Sequence, residues 1–332
     1  MAPSFHHFGV VGAGAWGTAL SLALIRAGRS VSLWAFEEEV AKTIREHLEN
    51  KTFLPGVPLS SDIRITHNLS NLSSCNAFVL ATPAQHLRAT CKALAPHLKP
   101  SSPLIIAAKG IETGTYRLMS EVVAEEIPHS PVSVLSGPSF AKEVAQGLPT
   151  ALTLASEHET EDLAHALSSP ALRPYTSDDI IGTQIGGAVK NVLAIACGIV
   201  SGRKLGENAR AALITRGLAE IVRLGVALGA RTETLMGLSG IGDIVLTCSS
   251  TQSRNMSLGF ALGQGKELKA VLAERTCVTE GISTAAATLG LARRHGVEMP
   301  VVSAVDLVLR DQATIEDSIS ALLSRPLRQE TL

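Results

Sequence analysis

No Cys-x-x-Cys pair occurs among the five cysteines of this chain, Cys75, Cys91, Cys197, Cys248 and Cys277. Their odd number and wide spacing suggest neither a zinc clip nor a dithiol motif, and reduced thiols in a cytoplasm are the expectation. An excess of charge of one sign is also missing. Lys and Arg number 29 against 30 Asp and Glu, for a formal net charge of -1, and the basic residues are scattered. That leaves no electrostatic footprint for nucleic acid or an acidic membrane surface. No basic stretch followed by an apolar core opens the sequence, which runs from Met1 through two histidines into an apolar segment at Phe8, so no export signal is read there. The longest apolar run, 180–202, carries Lys190-Asn191 and several glycines. It reads as a buried helix of a soluble protein and not as a membrane-inserted one. Internal repeats and low-complexity tracts are absent.

What is present is enough apolar material for a sizeable core: 45% hydrophobic against 18% charged residues over 332 positions, a length that suits two domains. Short apolar runs alternate with helical stretches in the first half, at Phe8–Val11, Ser30–Ala35, Ile63–Thr66, Ala77–Thr82, Leu104–Ala108, Val132–Ser136 and Ala151–Ala155. This alternation predicts an α/β domain with a doubly wound, mainly parallel sheet. From about Gly182 to Leu323 strand signals nearly vanish and helical periods take over. The pattern changes near Ser177-Asp178-Asp179, which divides the chain into a dinucleotide-binding Rossmann-like domain, 1–180, and an all-helical substrate-binding and catalytic domain, 181–332.

The first apolar strand runs into Gly12-Ala-Gly14-Ala-Trp-Gly17 and then a helix. Gly12 allows the tight turn, Gly14 lets backbone approach a pyrophosphate, Gly17 permits close helix–strand packing, and the helix N-terminus offers free N–H groups to the anion. The second strand ends in Trp34-Ala-Phe36-Glu-Glu-Glu39, where an arginine that could hold a ribose 2′-phosphate is lacking. Phe36 offers an aromatic face for adenine. Glu37 to Glu39 either meet the ribose hydroxyls or form the acidic first turn of the next helix. Either way NAD is favoured and NADP disfavoured as the cofactor.

Lys190 is the only charge between Asp179 and Arg203, and Asp243 the only one between Glu233 and Arg254. Two isolated opposite charges in apolar segments predict one buried pair, which is either a salt bridge locking two helices or a proton-transfer device. Burial lowers a lysine's pKa and a carboxylate restores it, which suits exchange with an alcohol oxygen near neutral pH. Helical spacing from Asp243 puts Thr247 on the same face, where its hydroxyl can donate to the same oxygen. No histidine lies between His165 and His295, so the commonest general acid is missing from the helical half. Ser253-Arg254-Asn255 combines a guanidinium fork with hydroxyl and amide donors, a set suited to phosphate. At the carboxyl ends of strands, Thr82, Lys109-Gly110 and Ser136-Gly-Pro-Ser-Phe-Ala141 are where a ligand of an open α/β sheet would sit.

Taken together, Gly12–Gly17, Ala108-Lys109-Gly110, Ser136–Glu143, Gly186–Asn191, Thr215–Glu220, Gly242–Cys248 and Gln252–Asn255 resemble the NAD(P)-dependent glycerol-3-phosphate dehydrogenases over nearly the whole chain. The resemblance implies reversible hydride transfer between NAD(H) and sn-glycerol 3-phosphate or dihydroxyacetone phosphate, with Lys190 as proton acceptor supported by Asp243 and Thr247. It implies substrate contacts from Lys109, Gly137, Ser139, Asn191, Ser253, Arg254 and Asn255. Cofactor contacts follow at Gly12, Gly14, Ala15, Trp16, Gly17, Phe36, Lys109, Ala141, Arg254, Val278 and Glu280, with no metal. A cytoplasmic homodimer making glycerol 3-phosphate for phospholipids is the family expectation. The Trp34-Ala-Phe-Glu-Glu38 stretch is similar to the NAD-using eukaryotic cytosolic branch and departs from the usual bacterial pattern, which often has a basic residue where Phe36 stands. Two other readings compete: a two-domain hydroxy-acid dehydrogenase, which needs a carboxylate clamp early in the chain, and a regulator that senses NAD without turnover, which has no reason to keep Lys190, Asp243 and Thr247 together.

Overall fold

The computed structural model describes residues 5–158, 160–275, 278–327 and 329, which leaves Cys277 outside. The chain separates into two compact units, Met1–Lys109 with Met119–Ile180, and Gly110–Leu118 with Ile181–Leu332. It passes from one to the other at 180–181, near the change of pattern in the sequence. Residues 110–118 join the helical unit instead of their sequence neighbours, and no shift of composition marks that excursion.

In the first unit eight strands form one sheet: β1 (His7–Val11), β2 (Ser30–Trp34), β3 (Ile63–Thr66), β4 (Ala77–Leu80), β5 (Leu104–Ile106), β6 (Val132–Ser136), β7 (Thr150–Ser156) and β8 (Leu172–Ser177). Their order is β3-β2-β1-β4-β5-β6-β7-β8. The first six run parallel, β7 lies antiparallel to β6, and β8 runs parallel to β7. Side chains alternate between faces as the pleat requires. Phe8, Val10, Ala77, Val79 and Ile105 enter one apolar cluster with the Ala15–Arg26 and Glu38–His47 helices. Val11, Phe78, Leu80, Leu104 and Ile106 enter another with the Leu87–Leu94 and Met119–Glu126 helices. Both faces are therefore covered, the doubly wound arrangement expected of parallel strands. The sequence pattern missed β8. Its Leu-Arg-Pro-Tyr-Thr-Ser is largely exposed and lies at the sheet edge, where a proline is tolerated and no apolar alternation is needed.

The second unit is helical in its described part from Ile181 onward. Among the described residues, Ile180–Gly202 is the one helix long and apolar enough to cross a membrane, and 83% of its apolar window is buried, as a core helix should be. It crosses the Arg254–Gly263 helix through glycines on both: a Cβ on Gly198 would strike the Met256 carbonyl, and one on Gly259 the Ile195 carbonyl. Close approach of the two backbones is what the glycines of this helix provide.

A buried carboxylate fastens another junction. Glu220, 2% exposed, accepts the N–H of Val301 at 2.7 Å and that of Val302 at 3.2 Å. It thereby satisfies two orphan donors at the start of the Pro300–Leu309 helix. Burial pushes its carboxyl from 4.5 up to about 7, against the pull of those two N–H groups and of Arg223 and Arg325. Because the folded value lies above the unfolded one, the stability tied to Glu220 is full below about pH 4.5 and is lost as pH rises through 7, roughly 3 kcal/mol at most. In urea denaturation at pH 5 and pH 7.5, the native protein is expected to lose more stability between the two than Glu220→Gln does. Equal slopes would show that the carboxyl is already ionised at pH 5.

Candidate active site

At the carboxyl edge of the sheet, β1 ends in the glycine-rich turn. Gly12 takes φ +116°, and a Cβ there would lie 2.9 Å from the Ala81 carbonyl. A Cβ on Gly17 would strike the Gly12 carbonyl, so both glycines are required by packing. Gly14 differs, with nothing within 4 Å of the space a Cβ would fill. It precedes the Ala15–Arg26 helix, whose first turn has no side-chain cap and no acidic residue, leaving uncapped N–H groups beside open space, the ground a pyrophosphate needs. Asn50 holds this turn, donating to the Ala13 carbonyl at 2.8 Å and the Thr18 hydroxyl at 2.9 Å. It lies in a loop with no motif around it, and sequence reasoning passed over it.

Along the same edge the Trp16 indole N–H and the hydroxyls of Thr82 and Ser136 are buried without a hydrogen-bond partner. Orphaned donors of this kind are costly unless something binds there. Lys109, past β5, donates to the Gly137 carbonyl at 3.2 Å, and the Ser139 hydroxyl donates to the same oxygen at 3.0 Å. Ala141 opens the Ala141–Gln146 helix just beyond. At the end of β2, Trp34 is fixed by its indole N–H on the His67 carbonyl at 3.0 Å. Phe36 is 77% exposed and stands edge-on to Trp34, centroids 6.0 Å apart. Glu38 and Glu39 form the acidic first turn of the Glu38–His47 helix, preceded by Glu37 at its N-cap. The donors, open glycine and exposed aromatic of this unit therefore fit a dinucleotide laid from the end of β2 across β1 towards β6.

In the helical unit, Gly186 and Lys190 share a face of their helix, four residues apart. A Cβ on Gly186 would strike the Ser239 carbonyl, so the π-helical segment Leu238–Gly242 approaches closely there. One turn on from each contact, Lys190 meets Asp243 at 2.5 Å. Lys190 is 7% and Asp243 0% exposed. The ammonium also donates to the Thr247 hydroxyl at 2.9 Å, which in turn donates to Asp243 at 3.3 Å. The predicted pair and its threonine are thus one cluster, on the face predicted from the Asp243–Cys248 helix. In this arrangement the Thr247 hydroxyl has Asp243 as its acceptor. Nearby, the contact with Cys197 and then burial raise the Cys248 thiol well above its ordinary value. It stays protonated and unreactive.

Asn191 and Asn255 form a second cluster. The Asn255 amide donates to Asn191 Oδ1 at 2.9 Å and its oxygen accepts the Gly281 N–H at 3.0 Å. Glycine is required at 281, where a Cβ would lie 2.6 Å from that oxygen. Ser253 caps the Arg254–Gly263 helix by accepting the Met256 N–H at 3.2 Å. Sequence reasoning treated Ser253 and Asn255 as phosphate donors. Here their oxygens and one amide N–H serve the fold, because a buried helix start and a three-helix junction must satisfy their own polar groups. Arg254 is different: it is exposed and its guanidinium has no carboxylate partner among the described residues. Val278 is 52% exposed, and Glu280 opens the Glu280–Arg294 helix. Among the described residues no group of three His, Cys, Asp or Glu could hold a metal ion.

Comparison with known proteins agrees with both halves. Residues 7–162 match the model of the NAD-dependent glycerol-3-phosphate dehydrogenase N-terminus, and residues 179–320 that of its C-terminus. A glycerol-3-phosphate dehydrogenase (NAD(P)+) of Parvibaculum lavamentivorans is 54% identical, with all of both chains covered. The crystal structure of glycerol-3-phosphate dehydrogenase from Coxiella burnetii is 38% identical with a TM-score of 0.93, covering 97% of this chain and 99% of that one. For the glycerol-3-phosphate dehydrogenase of baker's yeast the identity is 25% and the TM-score 0.81, over 96% of this chain and 99% of that one. The likeness of residues 34–38 to the eukaryotic branch is therefore local, set in a chain more like its bacterial relatives. By both halves and over its full length, the chain belongs to the NAD-dependent glycerol-3-phosphate dehydrogenase family.

Proposed function

We propose that the protein interconverts sn-glycerol 3-phosphate and dihydroxyacetone phosphate with NAD(H). The observation that carries this reading is the buried Lys190–Asp243–Thr247 cluster, present in a chain whose other unit has a dinucleotide cradle. A purely regulatory NAD binder has no use for such a cluster. The glycine turn of the first unit is assigned to the cofactor, its Lys109, Gly137 and Ser139 to the substrate's carbonyl and carbon chain, and the helical unit to proton transfer and the phosphate.

The nicotinamide, when bound, supplies or takes the hydride. Lys190 exchanges the proton on the C2 oxygen: in reduction it donates to the developing alkoxide, and in oxidation it accepts from the hydroxyl. Asp243 keeps the ammonium oriented and compensates its charge in a buried setting, and Thr247 fixes the direction of the pair. Arg254 anchors the phosphate by a bidentate contact. Lys109 and the backbone at Gly137 and Ser139 polarise the carbonyl and frame the carbon chain. Binding energy from the phosphate holds the reacting carbon in place. A cytoplasmic homodimer feeding phospholipid synthesis completes the reading, two-fold dimers being the commonest closed assembly.

The test is NADH oxidation by the purified protein with a panel of phosphorylated and carboxylated carbonyls. Dihydroxyacetone phosphate is expected to be reduced fastest, and a preference for 2-keto acids would favour the hydroxy-acid reading. Cofactor choice has its own expected outcome. A 2′-phosphate near Phe36 and the three glutamates meets negative charge and no guanidinium, so kcat/KM should favour NADH over NADPH by at least about tenfold, roughly 1.4 kcal/mol. Phe36→Arg should narrow the gap. Equal use of both cofactors by the native protein, at one ionic strength, would place the 2′-phosphate on another residue.

A further inference from the structure

Beside Arg254 stands a second guanidinium that neither the sequence motifs nor the proposed mechanism uses. Arg275, half-buried, donates to the Arg254 carbonyl at 2.8 Å and to the Ser257 hydroxyl at 2.8 Å. Ser257 in turn donates to the Arg254 carbonyl at 3.3 Å. Two side chains, Arg275 and Ser257, thus converge on one backbone oxygen at the start of the Arg254–Gly263 helix. No carboxylate pairs with either guanidinium among the described residues. Burial, and then the positive charge of Arg254, lower the Arg275 pKa, so Arg275 lies within the field of Arg254. Like charges kept side by side without a counter-ion are stabilised by an anion that meets their joint field. A phosphate ester near neutral pH carries close to two negative charges, more than one guanidinium offsets.

We propose that Arg275 is a phosphate-specificity residue of this enzyme: acting through Arg254, it fixes the Arg254 backbone and adds a second positive charge, which favours a dianionic phosphate ester over an uncharged substrate. This rests on Arg254 being the phosphate anchor. Arg275 is a positioning residue and touches neither substrate nor cofactor.

The experiment compares kcat/KM for dihydroxyacetone phosphate and for unphosphorylated dihydroxyacetone at saturating NADH, in the native enzyme and in Arg275→Ala, Arg275→Lys and Arg254→Ala. Arg275→Ala is expected to lower kcat/KM about tenfold for the phosphate ester, mostly through KM, and by no more than about twofold for dihydroxyacetone. The KM for NADH should stay unchanged. Arg275→Lys, which keeps the charge but not the fork, should recover part of the loss and also serves if the alanine variant folds poorly. Equal losses on both substrates would make Arg275 merely structural, and a loss confined to the KM for NADH would make it a cofactor residue. Either result overturns the inference. If Arg254→Ala collapses the discrimination while Arg275→Ala leaves it intact, this inference alone is wrong. If Arg254→Ala also leaves it intact, the phosphate anchor itself is misplaced.

Discussion

Lys190→Ala is expected to lower kcat about 10²- to 10⁴-fold, the usual size of a lost general acid–base, while NADH still binds with near-native affinity. The two effects separate because Lys190 is assigned to proton transfer, whereas the glycine turn and uncapped helix start that fit the pyrophosphate belong to the other unit. Removing the lysine also leaves Asp243, fully buried, without its cation. Uncompensated buried charge typically costs about 3–5 kcal/mol, so thermal stability should fall as well. Asp243→Asn gives a control for that loss: it keeps the shape at 243 and the lysine, and should reduce kcat less than the alanine variant does. The measurement is kcat beside a fluorescence titration with NADH, with circular dichroism to confirm folding. If the pair were only a salt bridge locking two helices, stability would fall and folded Lys190→Ala would turn over at the native rate.

Arg254→Ala should cost about a hundredfold in kcat/KM for dihydroxyacetone phosphate, since a bidentate guanidinium–phosphate contact is among the strongest polar interactions available and its energy positions the carbonyl. Both parameters should move, KM upward and kcat downward. A rise in KM alone would mean that Arg254 contributes uniform binding and does not help orient the reacting carbon. Unchanged kinetics would move the phosphate to another residue. Circular dichroism should be little altered, because the Arg254 side chain is exposed and its helix is capped by Ser253.

The parts of this molecule legible in the sequence are those where one residue type is forced by local physics. Gly12 and Gly17 announce the turn because packing allows nothing larger there, and the β1, β4 and β5 runs announce a sheet covered on both faces. Lys190 and Asp243 are conspicuous because a lone charge in an apolar helix needs a partner, and the structure supplies it. What was not legible depends on long-range partners. Asn50 lies in an unremarkable loop, and its role appears only once it is seen holding Ala13 and Thr18. Glu220 looks like any helical glutamate until the Pro300–Leu309 helix starts on top of it. Ser253 and Asn255 carry a second duty that the sequence did not show: besides the donors expected to face a ligand, their oxygens and one Asn255 N–H satisfy a helix start and the Asn191–Gly281 junction. Residues 110–118 escaped because membership of a unit is decided by packing and not by sequence adjacency.

The central claim, hydride transfer to C2 of a three-carbon phosphate, is tested most directly by running the reduction with NADH deuterated at C4 of the nicotinamide and locating the label by mass spectrometry and NMR. The account predicts sn-glycerol 3-phosphate carrying one deuterium at C2, and almost none formed by Lys190→Ala. NADH that binds but transfers no deuterium to dihydroxyacetone phosphate, or that delivers it only to the 2-carbon of a keto acid, would contradict it.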